Sequence, residues 1–188
     1  MILVVGLGNP GPQYRTHRHN VGFMVLDRLQ TRVGASEWRE KYNGLAGKGV
    51  VAGREVVLLK PQTFMNLSGR AVQKALAQLG TRLQETIVVH DEIDLPFSAL
   101  RVKAGGGHGG HNGLRDISAA IGSEYVRVRV GIGRPTVGTV EHFVLSPFAK
   151  HEQPNLDGII DRAVEAVEDV IALGAERAMN RHNAAPKS

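Results

Sequence analysis

Apolar residues along this chain fall into two alternating kinds of run. Ile2, Leu3, Val4 and Val5 are apolar without a break and stop at Gly6, which reads as a buried strand. Over 21–33, Val21, Met24, Val25 and Leu29 share one face of a helix. Residues 49–52 and 55–59 flank Gly53 and Arg54 as a hairpin. Asn66 is placed to cap a helix over 67–79 that Gly80 ends. Residues 86–89 read as a second buried strand, and 99–103 alternates as a strand does. Asn112 is placed to cap a helix that runs to Ile121 and stops at Gly122, and 125–132 alternates strictly. In the last third, Leu156, Ile159, Ile160, Ala163, Val164, Val167, Val170 and Ile171 recur at helical spacing until Gly174. A short helix over 175–180 follows, then a polar tail, 184–188, expected to fray. Strands alternating with helices predict an α/β fold: one mixed, mostly parallel sheet with helices on both faces, with the whole chain, 1–188, as a single domain.

Composition narrows the chemistry. A chain of 188 residues can bury a sizeable core without a covalent staple. It has no cysteine, which excludes disulfides and thiol catalysis and suits a reducing compartment. The apolar run at residues 1–5 is too short for a leader or a span, and no other stretch approaches the roughly 20 apolar residues a membrane helix needs. The expected location is the cytoplasm, away from membranes. A formal charge of +5 is compatible with a polyanionic partner, although a basic balance can serve solubility alone. Aromatics at 5% argue against a sheet that stacks RNA bases.

The polar residues are informative by position. Asn9 follows the first strand, Lys60 to Asn66 follows the hairpin, and Asp91 follows the strand over 86–89. Open α/β sheets bind ligands beyond the carboxyl ends of their strands. A further cluster, Gly105-Gly106-Gly107-His108-Gly109-Gly110-His111-Asn112-Gly113, opens the helix after another strand; its glycines let a backbone approach a bulky substrate closely. The loop Gly6-Leu7-Gly8-Asn9-Pro10-Gly11 imitates a dinucleotide fingerprint, but Pro10 and Pro12 remove amide donors and a polar run precedes the next helix.

His19 and Asp91 make a plausible base and orienter, because an imidazole titrates near neutrality and a carboxylate fixes its tautomer. Either one alone would be ordinary, His19 as a surface or capping residue and Asp91 as a turn residue. No serine stands in a nucleophile elbow, so water activated by His19 is the simplest nucleophile. Asn9, Asn66 and Asn112 can hold a carbonyl or an oxyanion without adding charge, although Asn66 and Asn112 could be caps and nothing more. Metal ligands could come from His17 with His19, from His108 with His111, or from His90-Asp91-Glu92. A loop with so many glycines orders its ligands poorly, and no metal is expected. Arg127 and Arg129 share one sheet face, as do Arg101 and Lys103; this is either a solvated face or a phosphate clamp beside the glycine loop.

Five segments together resemble bacterial peptidyl-tRNA hydrolases. They are Gly6 to Gly11 with Tyr14 and Arg18-His19-Asn20; Lys60-Pro61-Gln62-Thr63-Phe64-Met65-Asn66-Leu67-Ser68-Gly69; His90-Asp91-Glu92-Ile93-Asp94-Leu95-Pro96; Gly105 to Gly113; and Gly131-Ile132-Gly133-Arg134-Pro135. The resemblance implies hydrolysis of the ester between a peptide and the 3′-terminal ribose of tRNA, in the recycling of peptidyl-tRNA dropped from ribosomes. It implies His19 as general base, Asp91 as its partner, and Asn66 and Asn112 as peptide and oxyanion contacts. Asn9 would hold the adenosine or ester end of the substrate. Tyr14, Phe64, Met65 and His111 would line the cleft, and Lys103 and Arg129 would contact phosphate near the tRNA 5′ end. The partner would be the acceptor stem and CCA end of peptidyl-tRNA, bound by a monomer without cofactor or metal. Two departures stand out: His17 replaces the usual threonine, and the segment 136–140 is short and lacks lysine. The competing readings are an RNA-binding relative that has lost catalysis and a metal-dependent hydrolase of another ester.

Overall fold

The computed structural model describes residues 1–183; the tail expected to fray lies outside the described residues. The strands are β1 (Ile2–Gly6), β2 (Arg39–Lys41), β3 (Gly44–Val51), β4 (Arg54–Pro61), β5 (Thr86–Glu92), β6 (Leu100–Ala104) and β7 (Val126–Gly131). They form one sheet in the order β2-β3-β4-β1-β5-β7-β6. The central strands β4, β1, β5 and β7 pair in parallel, and antiparallel pairings add β3 and β2 at one margin and β6 at the other.

Strands β1, β4 and β5 carry apolar residues on both faces, as strands covered on both sides do, whereas β7 has Val126, Val128 and Val130 on one face and Arg127 and Arg129 on the other. Ile2, Val4, Val56, Leu58, Ile87 and Val89 pack against α1 (Val21–Val33), α5 (Gln153–Leu173) and α6 (Ala175–His182). Leu3, Val5, Val57, Leu59 and Val88 pack against α2 (Ser68–Leu79) and α3 (Asn112–Ile121). This is the α/β architecture with helices on both faces. Each fully buried side chain of this size contributes about 1.5–3 kcal/mol.

Several local expectations change. The hairpin is longer than its apolar pattern: β3 pairs with β4 from Gly44 opposite Pro61 to Val51 opposite Arg54. Its turn is Ala52-Gly53, with φ of 50° and 76°, the two-residue geometry that matches strand twist. β2 was not foreseen. Its Arg39, Glu40 and Lys41 are all exposed, so no apolar alternation announces it, and charge suits a sheet edge. A short helix, α4 (Val140–Val144), was also unforeseen.

Neither predicted asparagine cap forms. Asn66 lies in a three-ten turn, Met65–Leu67, and α2 begins after it with no side-chain cap. Asn112 is the first residue of α3, and the cap is His111.

Two glycines set where the site lies. A Cβ on Gly22 would stand 2.5 Å from both the Leu7 nitrogen and the Val89 oxygen, and one on Gly6 would stand 2.4 Å from the Gly22 oxygen. Real Cβ atoms do not come so near backbone. Helix α1 therefore begins directly on the carboxyl ends of β1 and β5, and the turn just before it is brought to Asp91.

Candidate active site

That turn, Arg18–Asn20, carries His19. Its neighbours pin it on both sides. The Arg18 guanidinium donates to Glu152 at 3.1 Å and to the Phe143 carbonyl at 3.3 Å, and lies 3.9 Å over the Phe143 ring. The Arg18 N–H donates to the Ser146 carbonyl at 2.9 Å. Asn20 accepts from the Asn9 N–H and donates to the Asn9 carbonyl, both at 2.9 Å. The Asn9 side chain in turn accepts from the Met65 N–H at 2.8 Å. Two consecutive side-chain amides thus tie the loops after β1 and β4 to the histidine turn.

Asp91, 2% exposed near the end of β5, takes a hydrogen bond on each carboxylate oxygen. His19 Nδ1 lies 2.8 Å from Oδ2, and His111 Nε2 lies 2.8 Å from Oδ1. The tautomers follow. His111 Nδ1 accepts from the Gly113 and Leu114 N–H groups at 3.1 and 3.3 Å, so its proton is on Nε2 and points at Asp91. A carboxylate only accepts, so His19 Nδ1 carries its proton and Nε2 keeps its lone pair. Nε2 has no protein partner among the described residues.

The charges agree with this geometry. Burial alone would raise the Asp91 pKa, but the facing His19 and His111 outweigh it and hold the carboxyl below its ordinary range. Burial would lower the His19 pKa, but the charge and hydrogen bond of Asp91 outweigh that and raise it. His17, half-buried, is pushed down by burial and then by His19.

These residues open on a cleft of about 370 Å³ whose walls include His19, Asp91, His111 and Asn112, with Val140 and Val144 of α4 and the exposed Arg115. The other expected residues lie outside its lining. Asn66 is exposed, in the turn that follows β4; its neighbour Met65 is buried against α3, where a Cβ on Gly113 would meet Met65 Sδ at 2.6 Å. Tyr14 and Phe64 form an edge-to-face pair, 6.5 Å between centroids, outside the cleft lining, with Phe64 56% exposed. Asn9 borders a separate hollow of about 290 Å³ with Asn20, Lys60 and Gln62.

Lys103 is exposed on β6, and Arg129 on β7 is half-buried with its Nε 3.0 Å from Glu92. Arg127 is not part of a surface clamp. It is buried, and its guanidinium donates to the Gly106 and Gly107 carbonyls.

Among the described residues, the three groups whose atoms could jointly hold a metal are His19, Asp91 and His111, within 4.8 Å of one another. A cation there would have to replace both hydrogen bonds of Asp91. Of the other candidate ligands, His108 uses its Nδ1 to accept from the Gly110 N–H.

A sequence profile described as "Peptidyl-tRNA hydrolase" matches residues 3–188. A peptidyl-tRNA hydrolase of Geobacter sp. (strain M21) is 52% identical over 183 residues, covering 97% of both chains. One of Sorangium cellulosum (strain So ce56) is 50% identical, covering all of this chain and 86% of that one. The chain belongs to the peptidyl-tRNA hydrolase family. The crystal structure of the Acinetobacter baumannii peptidyl-tRNA hydrolase has the same fold, with a TM-score of 0.92, 40% identity and 98% and 95% of the two chains covered.

Four residues of this peptidyl-tRNA hydrolase family member carry weight that the motifs did not assign. Arg18, Asn20 and Glu152 act through contacts between distant segments, which no spacing reveals. His90 is buried, donates from Nδ1 to the Asp91 carbonyl at 2.8 Å, and places its ring 5.1 Å from that of His111. Burial, then the neighbouring His111, lowers its pKa to about 3, so it stays neutral. In sequence His90 stands only as a candidate metal ligand and as part of the His90–Pro96 segment, and neither points to a buried neutral ring. Among the described residues, no helix is long and apolar enough to cross a membrane.

Proposed function

We propose that this chain hydrolyses the ester joining a peptide, or an N-blocked amino acid, to the 3′-terminal ribose of tRNA, with His19 as general base. The observation that carries this is the locked tautomer: Asp91 holds the proton on His19 Nδ1 and leaves the Nε2 lone pair free at the cleft. Nε2 takes a proton from water, and the water oxygen attacks the ester carbonyl. The carbonyl oxygen becomes an oxyanion, for which the neutral amides of Asn112 and Asn66 are donors. Collapse breaks the bond to the ribose oxygen, and the imidazolium returns the proton to it. Asp91 stays ionised throughout and stabilises the imidazolium.

Neutral asparagines also suit the substrate's blocked end. They can pair with a peptide amide but offer an α-ammonium no counter-charge. Asn9, through its bond to the Met65 N–H, ties the segment bearing Met65 and Asn66 to the loop after β1, and Tyr14 and Phe64 offer an aromatic edge for the CCA end. Lys103 and Arg129 contact phosphate near the 5′ end. Action as a cytoplasmic monomer without metal completes this reading and rests on the family resemblance.

The deciding experiment is release of N-acetyl amino acid from acetyl-aminoacyl-tRNA by wild type and His19→Ala, with and without EDTA. Wild type active in EDTA and the variant at least about 10³-fold slower is the expected result. A variant within tenfold of wild type removes His19 as base, and loss of wild-type activity in EDTA favours a metal hydrolase. Binding of tRNA with no release at all favours a non-catalytic RNA-binding relative.

A further inference from the structure

Helix α2 starts without a cap from its own segment. Leu67, in the capping position, has an apolar side chain, and no acidic residue stands in the first turn. The acceptor comes from another helix instead. The Gly69 N–H, in the first turn of α2, donates to Asp116 Oδ2 of α3 at 2.7 Å. A carboxylate in that place also suits the partial positive charge of a helix start.

The two helices meet this closely because each offers a glycine. A Cβ on Gly69 would stand 2.6 Å from the Asp116 carbonyl oxygen, which is main chain and cannot yield. A Cβ on Gly113 would stand 2.6 Å from Met65 Sδ. The start of α2 therefore presses on α3 at Asp116, and the Met65–Leu67 turn presses on it one turn earlier, at Gly113. The turn is also closed from within: Ser68, fully buried, donates from Oγ to the Met65 carbonyl at 2.7 Å.

Asn66 and Asn112 stand on the two sides of this contact. Asn66 follows Met65, and Asn112 precedes Gly113. Asn112 and Asp116 are four residues apart and so share one side of α3. Both asparagines are exposed, so the placement of each is set by the backbone that carries it.

We propose that Asp116 is a positioning residue for the reaction: by capping α2 from α3 it fixes the separation of Asn66 and Asn112, and with it the pair of donors that meets the developing oxyanion. Donors aimed at a charge that exists only in the transition state lose much of their effect when displaced by about 1 Å. This rests on the reading of Asn66 and Asn112 as those donors.

The test is hydrolysis of acetyl-aminoacyl-tRNA by Asp116→Ala, Asp116→Asn, Asn66→Ala and the variant that combines Asp116→Ala with Asn66→Ala, each shown to be folded by its urea midpoint. Asp116→Ala should lower kcat about tenfold with KM within about threefold, the pattern of a misplaced transition-state contact. Asp116→Asn keeps an acceptor for the Gly69 N–H and should stay within about threefold of wild type. In the Asn66→Ala background, Asp116→Ala should cost less than about threefold, because the donor it positions is gone. A tenfold cost that persists in that background overturns the inference, as does Asp116→Ala with lowered stability and wild-type kcat, or Asp116→Asn as slow as Asp116→Ala. If Asp116→Ala does not fold, Asp116→Glu takes its place in both backgrounds, since it keeps the charge and displaces the acceptor by one methylene. Asn66→Ala with wild-type kcat and KM would remove the donor reading itself, and this inference with it.

Discussion

At the scale of single residues, the site is a chain of fixed protons. The α3 amides hold the lone pair of His111 Nδ1, so the Nε2 proton must point at Asp91, and Asp91 must take the His19 proton on its other oxygen. Asp91→Asn would offer His19 a donor as readily as an acceptor and release the tautomer. The expected loss in kcat is on the order of 10²–10⁴-fold. The pH profile tests the same contact. Because the His19 pKa is raised, the acid limb of kcat/KM should lie above pH 6.5, the ordinary histidine value. In Asp91→Asn the residual activity should have its limb at lower pH, since burial then acts without the opposing carboxylate. An unmoved limb would assign that titration to another group.

His90 makes a stability prediction at this scale. Its folded pKa of about 3 lies below its unfolded value, so below pH 6.5 the unfolded chain gains a proton that the folded one refuses. Neutral His90 therefore costs stability as pH falls from about 6.5 towards 3, by up to about 1.4 kcal/mol per pH unit. Asp91, with its pKa held low, contributes stability above its unfolded pKa that is lost as pH falls below it; His19, raised, contributes below pH 6.5 and loses that contribution as pH rises. Urea unfolding of wild type and His90→Leu between pH 7 and 4.5 separates them: the variant should show the shallower decline. Parallel declines would mean that His90 takes up its proton while folded.

At the scale of elements, the site depends on how closely α1 approaches the sheet. Gly22 meets the backbone of β5 and of the loop after β1, and nothing there is a flexible side chain that can yield. Gly22→Ala should therefore push α1 outward, at a cost of about 1–3 kcal/mol, and should lower kcat as well, because the Arg18–Asn20 turn leads directly into α1. Urea midpoints and kcat measured together test this; full activity with lowered stability would show that the turn is held by Arg18 and Asn20 alone. The second element of consequence is α3, whose N-terminus is capped by His111 rather than by asparagine. His111 serves helix and carboxylate at once, and Asn112 stays exposed at the cleft wall.

At the scale of the molecule, one margin of the sheet is basic. The register sets Arg101 opposite Arg129 and Lys103 opposite Arg127, so four cations share one face of β6 and β7. They are not equivalent. Arg127 is buried under the glycine loop, Arg129 is paired with Glu92, and Lys103 is exposed. Lys103→Ala should reduce the slope of log KM against log salt by about one phosphate's worth, roughly 0.7–0.9, with kcat little changed. Arg129→Ala should change it less, because Arg129 must leave Glu92 before it meets a phosphate. Equal effects would show that the Glu92 pair does not survive substrate binding.

The sequence by itself determined the elements with strong periodicity: β1, β5, the long α5 and the glycine stops after α2 and α3, because burial on one or both sides imposes a period that local composition records. It also singled out His19, Asp91, Asn66 and Asn112 as candidates, because they stand in motifs long enough to be distinctive. What the tertiary structure decided is every role that depends on a partner far along the chain. The histidine cap in place of two asparagine caps, the neutral buried His90, the Arg18–Glu152 pair and the inward turn of Arg127 all depend on atoms that only folding brings within 3 Å or so. A period in sequence reports which face of an element is dry; it carries no information about which polar group waits on the other side.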